Sequence, residues 1–409
     1  MSAKHFLRAL AGTSLLAVAA VPAGAQTQTF VDLEAGLGYS SNPLLLLNGR
    51  SSGFGRLSAR GYHGWGNEKS NTSLSAYAEN TSYFRDLGNR QLFALDANTT
   101  SQVSETVRLN GELRFSSDFG AQLSSRFFGA PTEAAPTPAP APGAPVFPDQ
   151  NVIVVNPDLA TLNQRQYRLN AKGGATIVLS PRDFLNTSLG AQRVWFNSAN
   201  EALNYSLYDT SVGFGRRLNE RVSVGVRGIA SYADYSLNRS IFSYGPQLTA
   251  DAQLSQFWRL SGAVGFVRTE TDLGAIGGKR GSTDLAFEAS VCRRLQYEDV
   301  CLGASRQSQS SALVAAPSST AVNATYARRL SAKDQLQASL SIVRTSEEQS
   351  IGLGRQTFYS VAGSYDRRIN TRLSAGVNLA ARKLNTFGPD PKNDIGGSFY
   401  VRTRLGSVR

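Results

Sequence analysis

Few side chains in this 409-residue sequence have the chemistry of a catalytic or metal site. Its two histidines are His5, close to the N-terminus, and His63, within Gly61-Tyr62-His63-Gly64-Trp65. A serine or cysteine hydrolase needs a histidine base beside its nucleophile, but the aromatic neighbours of His63 are more typical of a membrane-interface girdle. No cysteine or histidine cluster has the spacing of zinc ligands. We therefore expect no enzyme, no metal site and no cofactor.

The other candidates are basic side chains that alternate with apolar ones. From Val107 to Phe115 every second residue is apolar or glycine and the residues between them are polar or charged, a period of two that places all charges on one face of a strand. The same phase in other stretches points eight basic residues to that face, namely Arg108, Arg114, Arg168, Lys172, Arg227, Arg382, Arg402 and Arg404. Acidic residues assigned to it are Glu112, Asp251, Glu288 and Asp366. If this face lines a pore, its basic excess favours anions.

The two cysteines, Cys292 and Cys301, indicate a structural disulfide. In a hairpin centred on Gln296-Tyr297 they lie directly opposite each other, and the same register pairs Val291 with Leu302 on the apolar face. An exported chain meets an oxidising compartment, where a bridge is the default state of two cysteines.

An arginine pair followed by a branched aliphatic residue recurs in the C-terminal half. The pairs are Arg216 and Arg217, Arg293 and Arg294, Arg328 and Arg329, and Arg367 and Arg368. Successive pairs are 77, 35 and 39 residues apart. The spacing of 77 residues consists of two units, because another alternating stretch ends in a polar turn at residues 255–259, so the period is about 38 residues. Such a unit holds two strands, a short turn and a longer loop, as in an up-and-down membrane barrel. The pairs are then predicted at the periplasmic rim, facing solvent, inner-leaflet phosphates or a periplasmic export component.

Residues 1–25 have the composition of a secretory signal peptide. Lys4 and Arg8 precede an apolar segment from Ala9 to Val21, and Ala23-Gly24-Ala25 provides small residues before a cleavage point at Gln26. Removing the two cations lowers the net charge from +12 to +10. Export makes nucleic acid an unsuitable partner for this charge, so we expect outer-membrane lipids, lipopolysaccharide or an anionic passenger.

The remaining chain, 26–409, predicts one all-β domain. After the signal no apolar run approaches the roughly 20 residues of a membrane helix, whereas about 18 alternating stretches occur. Connections after even-numbered stretches are short, and those after odd-numbered ones are longer and irregular. This favours a transmembrane up-and-down antiparallel β-barrel of about 18 strands in the outer membrane of a Gram-negative bacterium.

Two of the external connections have distinctive composition. The connection 116–163 carries seven of the fifteen prolines between Pro131 and Pro148, which excludes it from a sheet ladder. It is either a mobile surface loop or a segment that forms a lumen constriction or a lid. A later loop, flanked by Asp390 and Asp394, is expected to be a solvated external turn.

The segment Gly36-Leu37-Gly38-Tyr39-Ser40-Ser41-Asn42-Pro43 resembles the opening of the β-barrel porin 2 family. The resemblance implies a barrel of the EpsL type, encoded beside exopolysaccharide biosynthesis genes, and it carries over no catalytic residue. It leads us to expect a channel that takes part in exporting an acidic exopolysaccharide. The alternatives are a general diffusion porin for small anionic solutes and a non-conducting docking barrel of an envelope assembly.

Overall fold

The computed structural model describes residues 26–45, 49–67, 69–85, 87–119, 165–197, 204–236, 239–272, 278–308, 318–346, 355–385 and 392–407. These residues form 18 strands: β1 Gln26–Ser40, β2 Ser52–Gly66, β3 Ser70–Tyr83, β4 Asn89–Gln102, β5 Val107–Phe119, β6 Arg165–Val178, β7 Asp183–Phe196, β8 Tyr205–Arg217, β9 Val222–Tyr235, β10 Arg239–Gln253, β11 Trp258–Asp272, β12 Lys279–Arg294, β13 Glu298–Ser308, β14 Ser318–Arg329, β15 Asp334–Thr345, β16 Gln356–Arg368, β17 Leu373–Asn385 and β18 Lys392–Ser407. The predicted signal peptide, 1–25, lies outside the described residues.

The strands close into a single antiparallel barrel. Each strand pairs with the next one in sequence, and β1 pairs with β18, so that Glu34 lies opposite Arg402. Closure leaves no edge strand, and every ladder can satisfy its backbone groups internally. The predicted fold, an up-and-down antiparallel barrel of 18 strands, is confirmed. Among the described residues, no helix is long and apolar enough to cross a membrane.

The two faces of the wall differ in polarity. Large apolar side chains occupy the outer face and remain exposed by more than 60% at Leu57, Leu189, Leu379 and Ile395. Their neighbours in sequence point inward and are mostly polar or small, because successive residues of a strand face opposite sides. An apolar exterior around a polar interior is the arrangement that lipid requires of a barrel.

A pair of neighbouring substitutions tests which face meets lipid. Leu189, in the middle of β7, is 68% exposed on the outer face, whereas Ser188 points inward and shares a 2.7 Å hydrogen bond with Ser211. We expect Leu189→Arg to destabilise the barrel in a bilayer by about 2–4 kcal/mol, since a cation near the midplane costs that much. The measurement is urea unfolding in lipid vesicles. Equal losses for Leu189→Arg and Ser188→Arg would contradict the lipid-facing assignment.

The connections that follow even-numbered strands lie at one end of the barrel, which we call the turn end. The connections that follow odd-numbered strands lie at the opposite end, which we call the loop end. Connections at the turn end span three or four residues. In seven of them a serine or asparagine side chain accepts hydrogen bonds from two backbone N–H groups that follow it, a local cap that fixes a tight turn. These residues are Asn67, Ser104, Ser180, Asn219, Ser255, Ser331 and Asn370.

The loop end departs from the sequence prediction at two connections. Residues 236–238 join β9 to β10 over three residues, so the expectation of long connections after every odd strand is wrong there. The predicted loop 116–163 begins too early, because Ser116–Phe119 continue β5 and pair with β6 as far as Arg165. Residues 120–164, including all its prolines, lie outside the described residues.

The arginine pairs lie at the turn end and divide between the two faces. Their second members, Arg217, Arg294, Arg329 and Arg368, end β8, β12, β14 and β16 and belong to the inner face. Their first members, Arg216, Arg293, Arg328 and Arg367, belong to the outer face. Three of these outer arginines lie 3.6–3.8 Å from an acid on an adjacent strand. Exposed pairs of this kind contribute little stability.

Candidate functional site: the charged inner wall

The eight basic residues proposed from strand phase belong to the inner face. The register aligns Arg114 with Asp96 and Asn170, and Lys172 with Glu112. Arg227 lies opposite Gln247, and Arg402 lies opposite Glu34. All these positions share the face opposite the exposed apolar residues. That they line a conducting lumen stays a prediction.

A ladder of ion pairs crosses the closure between β18, β1 and β2. The Arg402 guanidinium donates to Glu34 at 2.9 Å and lies 3.8 Å from Asp366. Arg404 donates to Asp32 at 2.7 Å, and Arg56 on β2 pairs with the other oxygen of Glu34. Side chains of this set are mostly buried, so the pairs are shielded from screening by salt. The arginines here are bound to carboxylates of the wall rather than presented to a solute.

A second cluster of side chains holds residues 41–43, which follow β1, against the inner wall at the loop end. Arg382 pairs with Asp394, and its guanidinium also donates to the carbonyl oxygen of Pro43 at 3.3 Å. The same carboxylate accepts from Ser40 Oγ at 2.5 Å and from the backbone N–H of Asn42 at 2.9 Å. Asp394 is only 4% exposed. The expectation of a solvated turn at Asp394 is therefore wrong, whereas Asp390 lies outside the described residues.

The wall formed by β5 and β6 is neutralised less completely. Arg114 pairs with Asp96 and lies 3.6 Å from Glu112, but no described acid forms an ion pair with Arg108, Arg168 or Lys172. On β9, Arg227 donates to Gln247 at 3.0 Å and lies 3.8 Å from Glu288. Of the eight predicted basic residues, those without an ion pair to a described acid therefore lie on β5 and β6.

Beside the Arg382 cluster, the inner wall has a recess lined by residues of β1, β2, β3, β17 and β18. Its walls include Phe54, Arg56, Glu79 and Tyr83, and Asn378 lies among them. Asn378 is 1% exposed, and neither its amide oxygen nor its amide nitrogen has a hydrogen-bond partner within the described chain. Buried polar atoms of native proteins are almost always paired. Other buried atoms of the described wall, such as Nε of Arg168, also lack a partner, but Asn378 is the described amide side chain of which both polar atoms are unpaired.

The alternation of polar and apolar residues along the strands did not by itself predict the recess. Asn378 lies in the alternating stretch of β17, and its polar phase correctly indicates an inward position. Its burial depends on residues of β1, β2 and β3, which barrel closure brings to it from more than 290 positions away. A glycine is the one local signal: a Cβ on Gly38 would lie 2.4 Å from Cζ of Phe54, so the ring needs glycine there.

The remaining candidates form no reactive constellation among the described residues. His63 lies exposed on the outer face, where its Nδ1 is 2.7 Å from Thr29 Oγ1 and its ring centroid is 5.1 Å from that of Trp65. No group of three or more His, Cys, Asp or Glu side chains in the described part could hold a metal ion. Cys292 and Cys301 form a disulfide at directly opposed positions of β12 and β13.

The comparisons with solved structures return outer-membrane proteins. The chain is similar to OccK2 (OpdF) of Pseudomonas aeruginosa, with 11% identity over 94% of this chain and 99% of that one and a TM-score of 0.44. It is also similar to OpdL of P. aeruginosa, with 10% identity, 93% and 99% coverage and a TM-score of 0.41. The FrpB iron transporter of Neisseria meningitidis gives 10% identity, 88% coverage of this chain and 62% of that one, and a TM-score of 0.45.

No family model matches the chain, and no curated protein matches it. Its resemblance to the β-barrel porin 2 family, through residues 36–43, therefore stays a prediction.

Proposed function

We propose that the chain is an outer-membrane channel for anionic solutes. The observation that carries this is the closed 18-strand wall with an apolar exterior and an interior lined by charged side chains. A barrel of this strand number is wide enough for an aqueous lumen unless loops fill it. Arg108, Arg168 and Lys172 on β5 and β6, which form no ion pair with a described acid, supply the preference for anions.

Conductance of the purified full chain in planar bilayers tests this function. We expect discrete current steps and, in a potassium chloride gradient, a reversal potential that indicates preference for chloride. A folded barrel without current steps would favour the docking-barrel alternative and overturn the channel. Current steps with a preference for potassium would retain the channel but overturn its anion selectivity.

The second candidate passenger is an acidic exopolysaccharide, which the resemblance of residues 36–43 favours. Linear acidic oligosaccharides such as oligogalacturonate should then block the current at lower concentrations than neutral dextran fragments of equal length. Equal block by the two polymers would remove the support for an acidic polysaccharide, while leaving a porin for small anions.

We further propose that the turn end contacts phospholipid headgroups of the inner leaflet. The residue that begins six of its turns is an exposed aliphatic, namely Val103, Leu179, Leu218, Leu254, Leu330 and Ile369. Outer-face arginines adjoin several of them, and Arg216, Arg328 and Arg367 are exposed. Aliphatic groups at the acyl boundary with cations at phosphate depth suit an anionic lipid surface.

A further inference from the structure

We propose that the recess around Asn378 binds a single neutral sugar ring at the loop end of the lumen. The proposal depends on the channel function only for the route by which a sugar reaches the recess. Its lining brings aromatic rings together with a small number of convergent polar groups, as small-molecule sites do. The hydrogen-bonding groups, the charge balance and the aromatic side chains of the recess indicate which kind of compound binds there.

Asn378 supplies hydrogen-bonding capacity that the chain itself does not use. Its amide offers two N–H donors and a carbonyl acceptor, and none of these has a partner within the described residues. The Nε of Arg56, also in this wall, is likewise buried without an acceptor. Since no hydrogen bond fixes the amide, and χ2 of asparagine is broad, the group can turn to meet a ligand.

The charges of the recess favour a neutral ligand. Arg56 is already paired with Glu34, and Arg382 with Asp394. Two carboxylates, Glu79 and Asp394, line the recess beside the two guanidinium groups. An anion would approach both carboxylates, whereas a hydroxyl group can donate to one neighbour and accept from another. The donors and acceptors of the recess therefore suit a compound with several hydroxyl groups.

The aromatic wall suits a ring with an apolar face. Phe54 and Tyr83 are in edge contact, with centroids 5.9 Å apart, and both line the recess. The C–H face of a pyranose can pack on such rings while its hydroxyl groups meet Asn378 and Arg56. Gly38 permits the position of Phe54, since any side chain there would collide with the ring.

Glucose, glucuronate and the variant Asn378→Leu provide the test. Calorimetric titration of the full folded chain in detergent micelles should show saturable binding of glucose and at least tenfold weaker binding of glucuronate. Asn378→Leu should weaken glucose binding at least tenfold without lowering the thermal midpoint, because an apolar group of similar shape removes only unpaired polar atoms. Absent or non-saturable glucose binding would overturn the proposal, as would tighter binding of glucuronate or unchanged binding by Asn378→Leu.

Asn323→Leu is the matched control. Asn323, on the inner face of β14, accepts a 2.8 Å hydrogen bond from Ser341, and it is not among the residues of the recess. Its replacement should lower the thermal midpoint and leave glucose binding unchanged. Equal loss of binding in both asparagine variants would assign the effect to the wall in general and overturn the site. Because micelle binding needs no conductance, a non-conducting barrel that binds glucose would refute the channel alone.

Discussion

Arg402→Met is expected to destabilise the barrel by about 3 kcal/mol, since removing one partner of a buried ion pair leaves an uncompensated charge. Methionine has a comparable length, so the main loss is the guanidinium group that lies 2.9 Å from Glu34 and 3.8 Å from Asp366. Arg402 also lies over the ring of Tyr400, with 5.1 Å between the guanidinium carbon and the ring centroid. Urea unfolding in lipid vesicles measures the change.

The matched control for Arg402 is Arg268→Met. Arg268 donates to Glu270 at 3.0 Å, but both side chains are about half exposed on the outer face, where an ion pair contributes less than about 1 kcal/mol. The double variant Arg402→Met with Asp366→Asn should recover part of the lost stability, because it also removes a carboxylate whose one described ion pair is with Arg402, whereas Glu34 keeps its pair with Arg56. If Arg402→Met cost no more than Arg268→Met, the ladder would have no special role in closing the barrel.

Much of the wall could be predicted from the sequence because strand geometry is local. A period of two determines which side chains share a face, and the register of β5 and β6 places Arg108, Arg168 and Lys172 on one face. The positions of Cys292 and Cys301, nine residues apart in the sequence, also indicated the register of their hairpin, and the structure pairs the same two positions. Strand number followed from counting the alternating stretches, since each strand of the barrel is one such stretch.

The partners of the charged residues could not be predicted in the same way. Arg402 and Glu34 are 368 positions apart and meet only because β1 pairs with β18. Asp394 follows a loop rich in proline and charge, yet its carboxylate accepts from the backbone N–H of Asn42 and pairs with Arg382. Sequence phase therefore predicted where positive charge lies but not where acids neutralise it, and this difference determines where an anion meets unneutralised charge.

The double variant Arg168→Glu with Lys172→Glu should reverse the selectivity of the channel. Both side chains lie on the inner face of β6 without a described ion-pair partner. A charge about 4 Å from an ion contributes about 1 kcal/mol in water, and reversing its sign changes this by about 2 kcal/mol, so replacing two cations by two anions should change the chloride-to-potassium permeability ratio by at least about tenfold. The measurement is the reversal potential in a potassium chloride gradient, whose sign should change.

A matched pair of outer-face substitutions separates this local effect from net charge. Arg193 lies opposite Leu169 on the strand next to β6, and Arg268 lies on the outer face of β11. Arg193→Glu with Arg268→Glu changes the total charge equally but leaves the inner face intact, so the reversal potential should keep its sign. Because salt screens charges more than about a Debye length apart, the shift of the inner-face variant should diminish in concentrated salt. A shift of equal size in the outer-face variant would mean that β5 and β6 do not set the selectivity.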